Sequence, residues 1–262
     1  GDMPNWIKNK INYIFGVDVN SNNLDNSVQI YKEQPQPKPK IVLTLGDFGK
    51  LIFPNYECAI DVDSKKIMKS QLMSKYQFDI VSSQFSLTYF YKDEITLRTF
   101  FQNVNDNLKI GGYFIANCFD GESVIKYLDK DKSKEGKIDD KLIWKIEKNY
   151  RNGKFNFEKP LYGKEITVFI SSIGKTFKEN LVNFTYFKIL ALEYKLELVD
   201  EIQFDSLFSE MSNNSNYNNI SKNMNDAEKE FSFLNKQIIL RKIEHSPLKL
   251  LTKLQNKIKK SK

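Results

Sequence analysis

Short apolar runs that end in polar residues alternate with helix-like stretches through the first half of this chain. Strands are predicted at 11–19, 41–45, 78–82 and 113–117, and helices at 64–76, 92–108 and 122–130. Strands that alternate with helices at such spacings are typical of parallel sheets with crossover helices. The pattern therefore predicts an α/β fold with a mostly parallel, doubly wound sheet and helices on both of its faces.

The second half has a different pattern. It predicts strands at 141–148, 166–171 and 196–200, a helix at 177–195 and a closing strand within 231–243. The segment 31–40 is rich in Pro and Lys and is predicted to be a loop, and Gly111-Gly112 is predicted to stop a helix. We expect one domain at 1–244, followed by a basic, Lys-rich tail at 245–262. A solvated tail is the preferred interpretation, and binding of the tail to RNA or to a partner is the alternative.

Composition excludes several kinds of chemistry. Among 262 residues there is one histidine, His245, and the two cysteines are Cys58 and Cys118. A Ser-His-Asp or Cys-His mechanism, or a His-based metal site, would have to depend on His245, and two cysteines form no disulfide framework or zinc pattern. The net charge of +7 suits a nucleic-acid partner, although an AT-rich genome produces the same excess of Lys without any function. No apolar run approaches the ~20 residues of a membrane span, so no membrane partner is expected.

Two acids follow the first two predicted strands. Asp18 ends the strand at 11–19, and Asp47 follows the strand at 41–45 in the sequence LTLGDF. In a nucleotide-binding βαβ unit, an acid at the end of the second strand binds ribose hydroxyls about 20 residues after a Gly-rich turn. The distance in sequence from Gly1-Asp2 to Asp18 fits this spacing. Asp47 can accept a hydrogen bond from an adenine amino group. The alternative roles are strand capping for Asp18 and turn formation for Asp47.

A polar and aromatic segment follows the third strand, in FDIVSSQFSLTY. Its residues Gln84, Phe85 and Tyr89 can line a cavity above the sheet edge, where flat rings suit a purine. The alternative is that both rings pack in the core.

Three segments, in this order and spacing, resemble the mRNA cap guanine-N7 methyltransferase family, and the large viral versions are the most similar. They are FDIVSSQFSLTYFY, then LKIGGYFIANCFDG after a helix, and then ITVFISSIGKTFKENLVNF. The resemblance extends from Gly1 to about Lys242 and implies a Rossmann-like fold dependent on S-adenosylmethionine. Gly1-Asp2 resembles the end of the family's Gly-rich turn, so we expect the first strand and most of that turn to lie before residue 1.

The resemblance also implies roles for individual residues. The residues implied to bind S-adenosylmethionine are Gly1 and Asp2 in the turn, Asp18 at the ribose, Asp47 at the adenine, and Gln84 and Tyr89 beside the cofactor. Phe85 would lie near the cap pocket, and Glu179 would bind the guanine edge, where a carboxylate can accept from adjacent N–H donors. Thr88 stands where the family usually has His, Gln237 where it has a cap-contacting Tyr, and Asn5 where a basic residue is expected.

The implied reaction is methyl transfer to N7 of the cap guanine, whose lone pair needs no deprotonation. The chain then only has to align N7, the methyl carbon and sulfur in a site that disfavours water, so we assign no catalytic residue and no metal. Thr88 and Gln237 leave open a methyltransferase with another substrate, and the missing turn leaves open an RNA-binding or scaffold module without cofactor binding.

Gly174-Lys175-Thr176 is not a P-loop, because Phe169 occupies the position of its first glycine. Asp61-Val62-Asp63 suits a solvated loop better than a metal site.

The expected partners follow from the same resemblance. They are the capped 5′ end of RNA, further capping-enzyme domains upstream of this chain, and a regulatory subunit. A viral protein would be cytoplasmic, in the viral factory or virion, and a cellular one would be nuclear.

Overall fold

The computed structural model describes residues 3–75, 77–151, 155, 162–212, 223–245 and 252. The chain divides into two compact units, Gly1–Gln77 and Phe78–Lys262, and each is described by itself. Among the described residues, none of the helices combines the length and the apolar character needed to cross a membrane.

The first unit is built on two parallel strands. Its elements are α1 (Met3–Lys8), β1 (Tyr13–Asp18), α2 (Ser21–Glu33), β2 (Lys40–Leu45) and α3 (Val62–Gln71). β1 and β2 pair in parallel, from Tyr13 opposite Lys40 to Asp18 opposite Leu45. Asp61 caps α3 by accepting from Ser64 N at 2.6 Å, which gives the Asp61-Val62-Asp63 segment a helix-capping role.

Helix α2 is absent from the sequence prediction, which placed a loop over part of it. Its sequence, SNNLDNSVQIYKE, is poor in apolar residues, and none of its residues is buried. Parallel strands cannot be joined by a tight hairpin, so a crossover between β1 and β2 is required. Asn20 caps the helix by accepting from Asn22 N at 2.9 Å.

The second unit contains two four-stranded sheets. Its elements in chain order are β3 (Phe78–Gln84), a 3-10 helix (Leu87–Lys92), α4 (Glu94–Asn107), β4 (Leu108–Phe119), α5 (Gly121–Leu128), β5 (Ser133–Ile138), β6 (Lys141–Lys148), β7 (Glu165–Ile170), β8 (Lys175–Asn180), α6 (Phe184–Glu193), β9 (Leu196–Gln203), α7 (Phe204–Ser212), α8 (Asp226–Ser232) and β10 (Asn235–Lys242).

The first sheet of this unit has the order β3-β4-β10-β9 and carries helices α4 and α6. β3 and β4 are parallel, whereas β10 is antiparallel to both of its neighbours. A cluster of aromatic rings packs α4 and α6 on this sheet: Phe100 lies 5.7 Å from Phe114 and Phe101 lies 4.8 Å from Phe187, between ring centroids. Such rings bury large apolar areas and dominate the energetics of a core.

The second sheet is an antiparallel meander with the order β5-β6-β7-β8. Gly174, at φ 67°, turns the chain between β7 and β8, and its N–H donates to Ile170 O at 2.9 Å. Gly174-Lys175-Thr176 therefore belongs to a β-hairpin and not to a phosphate-binding loop. One face of the meander joins a buried cluster that includes Trp144, Ile166 and Leu234.

Besides the missed helix α2, four details of the prediction are wrong. Among the described strand pairs, two are parallel and the other five antiparallel, so the sheets are not mostly parallel. The antiparallel pairs form because β5 to β8 and β10 are joined to their neighbours by hairpin-like or long return connections. β5 was not predicted. β4 starts at Leu108 and contains Gly111 and Gly112, and a Cβ at Gly112 would lie 2.9 Å from Asp79 O, so close approach and not helix termination requires this glycine. The predicted helix at 177–195 starts only at Phe184, after Asn183 caps it by accepting from Tyr186 N at 3.0 Å.

Lys242 is a buried lysine at the end of β10. It is 4% exposed, and its Nζ donates to Asn105 O at 2.5 Å and to Leu108 O at 3.0 Å, at the C-terminal end of α4. A cation at this position satisfies carbonyl groups that have no partner within the helix and also favours the negative end of the helix dipole.

Substitution of Lys242→Met is expected to lower the free energy of unfolding by about 2–3 kcal/mol, because one buried and one part-buried carbonyl group lose a charged donor. The measurement is urea denaturation. Lys178→Met is the control, because that lysine is 69% exposed in its ion pair with Glu165, and exposed pairs contribute about 0–1 kcal/mol. Equal losses for the two variants would contradict the assigned role of Lys242.

Candidate functional site

In the first unit, the two predicted cofactor acids lie at the same edge of the parallel strands. Asp18 ends β1 opposite Leu45, and Asp47 follows Leu45 after one residue. The N–H of Gly46 donates to Asp18 O at 2.9 Å, which holds the two strand ends together. A Cβ at Gly46 would lie 2.7 Å from Val17 Cγ1 and 2.8 Å from Met68 Cε, so a larger residue here would displace these side chains. The carboxyl edge of the strands therefore presents both acids, as the sequence predicts.

The Asp18 carboxylate also has a local structural role. Its Oδ1 accepts from Asn20 N at 2.8 Å, and its Oδ2 accepts from Asn23 Nδ2 at 3.1 Å. These bonds connect the end of β1 to the start of α2, so the capping role considered as the alternative is present. A carboxylate has about four acceptor positions, so each oxygen retains capacity for a ligand hydroxyl.

Asp47 forms the turn that follows β2. Its Oδ1 accepts from Gly49 N at 2.9 Å, and its backbone N–H donates to Cys58 O at 2.8 Å. The turn role is therefore present here too, and it fixes the direction of the carboxylate. Gly1 and Asp2 lie outside the described residues, and their roles stay predictions.

In the second unit, Gln84 ends β3 and the chain then turns sharply into the 3-10 helix. Phe85 has a φ of 51°, in the left-handed region that bulky residues rarely adopt. Phe85 is 55% exposed and Tyr89 is 49% exposed, so the alternative in which both rings pack in the core is wrong. The ring of Phe85 contacts that of Phe204 edge to face, with centroids 6.3 Å apart. The turn thus presents two aromatic faces at the surface of this unit.

Thr88 and Glu179 are both buried in this unit. Thr88 is fully buried and Glu179 is 7% exposed, and the side chain of Asn180, the neighbour of Glu179, donates from Nδ2 to Thr88 O at 3.3 Å. The segment after β3 and the end of β8 are therefore packed together. The sequence pattern predicts Glu179 on a helix, whereas it lies on β8, opposite the core residue Ile166 of β7. A strand position directs its carboxyl towards the interior on the same face as Ile166.

Burial dominates the electrostatics of Glu179. Desolvation raises the pKa of its carboxyl to about 7, and the Thr88 hydroxyl lowers this pKa in part, although Thr88 Oγ1 makes no hydrogen bond of standard geometry within the described residues. The buried Cys118 thiol is close enough that Glu179 and Asp120 help to raise its pKa, after burial itself. Among the described residues, Thr88 is the one donor that lowers the pKa of Glu179, and a carboxyl in such surroundings is suited to receive the N–H groups of a ligand.

The sheet places Gln237 in a row with Gln84. Gln84 pairs with Asn117 of β4, and Asn117 pairs with Gln237 of β10, so three amide side chains lie side by side on one face. Asn117 was not among the predicted site residues. Alternation along the predicted strand 113–117 indicates only the face on which Asn117 lies, whereas its place beside Gln84 depends on the register between β3 and β4.

The fold is that of the Rossmann-like S-adenosylmethionine-dependent methyltransferases. A solved structure of one such enzyme, from Clostridium acetobutylicum, matches with a TM-score of 0.53 and 14% sequence identity, covering 93% of this chain and 80% of that one. The model of the mRNA (guanine-N(7))-methyltransferase domain matches residues 1–260. The chain therefore belongs to the mRNA cap guanine-N7 methyltransferase family, as its sequence motifs indicate.

Two relatives show the range of the similarity. The mRNA cap guanine-N(7) methyltransferase of Saccharomyces cerevisiae is 28% identical over 213 residues, which cover 79% of this chain and 46% of the yeast protein. A protein of Acanthamoeba polyphaga mimivirus named as an mRNA-capping enzyme is 26% identical over 234 residues, which cover 81% of this chain and 20% of the viral protein. The chain thus spans about half of the yeast protein and a fifth of the viral one.

Proposed function

We propose that this chain transfers a methyl group from S-adenosylmethionine to N7 of the guanine in an mRNA cap. The observation that carries the proposal is the match of the family model to residues 1–260. The buried carboxyl of Glu179 supports it, because this residue is the one predicted to bind the guanine edge, and a desolvated carboxylate gains most from adjacent N–H donors.

The residues of this chain bind and orient the reactants. When bound, S-adenosylmethionine would supply a methyl group on a positively charged sulfur for transfer to the lone pair of guanine N7, with cleavage of the carbon–sulfur bond and S-adenosylhomocysteine as the leaving group. Asp18 and Asp47 hold the nucleoside part, Glu179 holds the guanine edge, and Phe85 and Tyr89 offer flat faces beside the two ligands. Because no proton leaves N7, rate acceleration comes from alignment and the exclusion of water, and no residue acts as a base.

The proposed partners follow the same logic. The capped 5′ end of RNA is the substrate, and a net charge of +7 favours a polyanion. Further capping-enzyme domains upstream are supported by the mimivirus relative, of which this chain covers only a fifth. The proposal also includes a regulatory subunit, and a division of the chain into a domain at 1–244 and a basic tail at 245–262. A viral protein would be located in the cytoplasm, in the viral factory or virion, and a cellular one in the nucleus.

The full-length encoded protein is expected to transfer a labelled methyl group from S-adenosylmethionine to RNA that begins with GpppA, and not to the same RNA with a 5′ triphosphate. Nuclease digestion and chromatography of the product would place the label at N7 of the cap guanine. Label at another position would indicate a methyltransferase with a different substrate. Failure to bind S-adenosylhomocysteine in calorimetry would instead favour a scaffold module without cofactor binding.

A further inference from the structure

Asn117 lies between residues predicted to serve two different ligands. It is half-buried near the end of β4, and the parallel register pairs it with Gln84, the last residue of β3. Gln84 is predicted to lie beside the cofactor, and the next residue, Phe85, is predicted to lie near the cap pocket. The two polar atoms of the Asn117 side chain contact one of these residues each.

The Nδ2 group of Asn117 fixes the amide of Gln84. It donates to Gln84 Oε1, while Gln84 Nε2 donates to Ser82 Oγ at 2.9 Å and to Ile115 O at 3.4 Å. Both ends of the Gln84 amide are therefore held, and only one orientation satisfies all of its partners. Without a donor at position 117, the acceptor end of Gln84 would lose its partner within this network.

The Oδ1 atom of Asn117 supports the backbone of Phe85. The N–H of Phe85 donates to Asn117 Oδ1 at 3.0 Å and to Asn117 O at 2.9 Å. Phe85 has a φ of 51°, and a bulky residue persists in this region only when its surroundings compensate for the strain. The two acceptors of Asn117 provide such compensation at the turn that leaves the Phe85 ring exposed.

We propose that Asn117 is a positioning residue for methyl transfer, which sets the Gln84 amide through Nδ2 and the Phe85 backbone through Oδ1. The inference rests on the proposed function, because that function assigns Gln84 to the cofactor and Phe85 to the cap. Asn117 itself contacts neither ligand in this scheme. Since one side chain acts on two consecutive residues through two different atoms, substitutions can remove its effects one at a time.

The first test compares Asn117→Asp with Asn117→Ala in the full-length protein. Asp keeps an acceptor for Phe85 but loses the donor to Gln84, so the KM for S-adenosylmethionine is expected to rise about tenfold, while the KM for GpppA-RNA stays within about twofold. Ala removes both side-chain contacts, so both KM values are expected to rise. The matched control is Asn149→Asp, because Asn149 Nδ2 also donates to side chains, Glu165 Oε1 at 3.0 Å and Thr167 Oγ1 at 2.9 Å, on an exposed strand end.

The second test asks whether Asn117 acts through Gln84. Asn117→Asp is expected to weaken binding of S-adenosylhomocysteine about tenfold in the natural protein, but less than about twofold when Gln84 is already Ala, because coupled residues are not additive. Equal weakening in both backgrounds, or kinetic constants that match those of Asn149→Asp, would overturn the proposal. If the protein binds S-adenosylhomocysteine but does not methylate capped RNA, the proposed substrate is wrong and this affinity cycle still decides the role of Asn117. Absence of any binding of S-adenosylhomocysteine would overturn both proposals.

Discussion

Glu179→Gln is expected to make the protein more stable at pH 8 while it weakens binding to the cap. Burial raises the pKa of the Glu179 carboxyl from 4.5 to about 7, so the folded protein holds this proton more tightly than the unfolded chain does. The stability associated with the carboxyl is therefore complete below about pH 4.5 and is lost as the pH rises through about 7. Glutamine does not titrate, so above pH 7 the variant should exceed the natural protein by about 3 kcal/mol.

The measurement is urea denaturation of both proteins between pH 5 and pH 8. Glu165→Gln is the matched control, because Glu165 lies on the adjacent strand and a hydrogen bond from Lys178 lowers the pKa of its carboxyl. That substitution should therefore reduce stability, and the reduction should be present above the ordinary pKa of glutamate. A stability gain for Glu179→Gln that does not vary with pH would contradict the titration of a buried carboxyl.

The same substitution, Glu179→Gln, is expected to weaken binding to the cap although it stabilises the fold. A glutamine at 179 offers one acceptor and no charge to the two adjacent N–H groups of guanine, so affinity for GpppA is expected to fall about 10- to 100-fold. In the natural protein, cap affinity should decrease as the pH falls below about 7, because the protonated carboxyl is a poorer acceptor. Fluorescence titration with the cap dinucleotide measures both effects, and unchanged affinity would remove Glu179 from the cap site.

Asp18→Ala is expected to abolish measurable cofactor binding. The ribose diol would lose two charge-assisted hydrogen bonds to the carboxylate, each contributing about 1.5–3 kcal/mol, so affinity for S-adenosylhomocysteine should fall by at least about 100-fold. Asp18→Asn keeps one acceptor oxygen and should lose less, about tenfold. Isothermal titration calorimetry with the full-length protein compares the variants.

The control for this experiment is Asp61→Ala in the same unit. Asp61 also holds the start of a helix, by accepting from Ser64 N at 2.6 Å, but it is not assigned to the cofactor. Loss of this cap should cost about 1 kcal/mol of stability and leave cofactor affinity unchanged. If Asp18→Ala behaves like Asp61→Ala, the contacts of Asp18 with Asn20 and Asn23 are its whole function.

Predictions that depended on local pattern were the reliable ones. The strands that end at Asp18 and precede Asp47 were recognised because an apolar run followed by an acid is visible within a few residues. Helix α2 was missed because it buries no residue and its few apolar residues stand among many polar ones, although the requirement of a crossover between parallel strands calls for such a helix. The start of α6 was misplaced because apolar spacing continued through β8, although Asn183 is a recognisable cap.

Most of the strands, the acids at the ends of the first two and the family could be read from the sequence alone, because periodicity, turn residues and motif spacing are local properties of the chain. The environment of Glu179 became visible in the folded structure, since its burial depends on the pairing of β8 with β7 and on packing against the segment after β3. The folded structure also revealed the contacts of Asn117, whose bonds to Phe85 and Gln84 join residues 32 and 33 positions apart. Contacts at that separation depend on strand register, and a shift of register by one residue would direct each of these side chains to the opposite face.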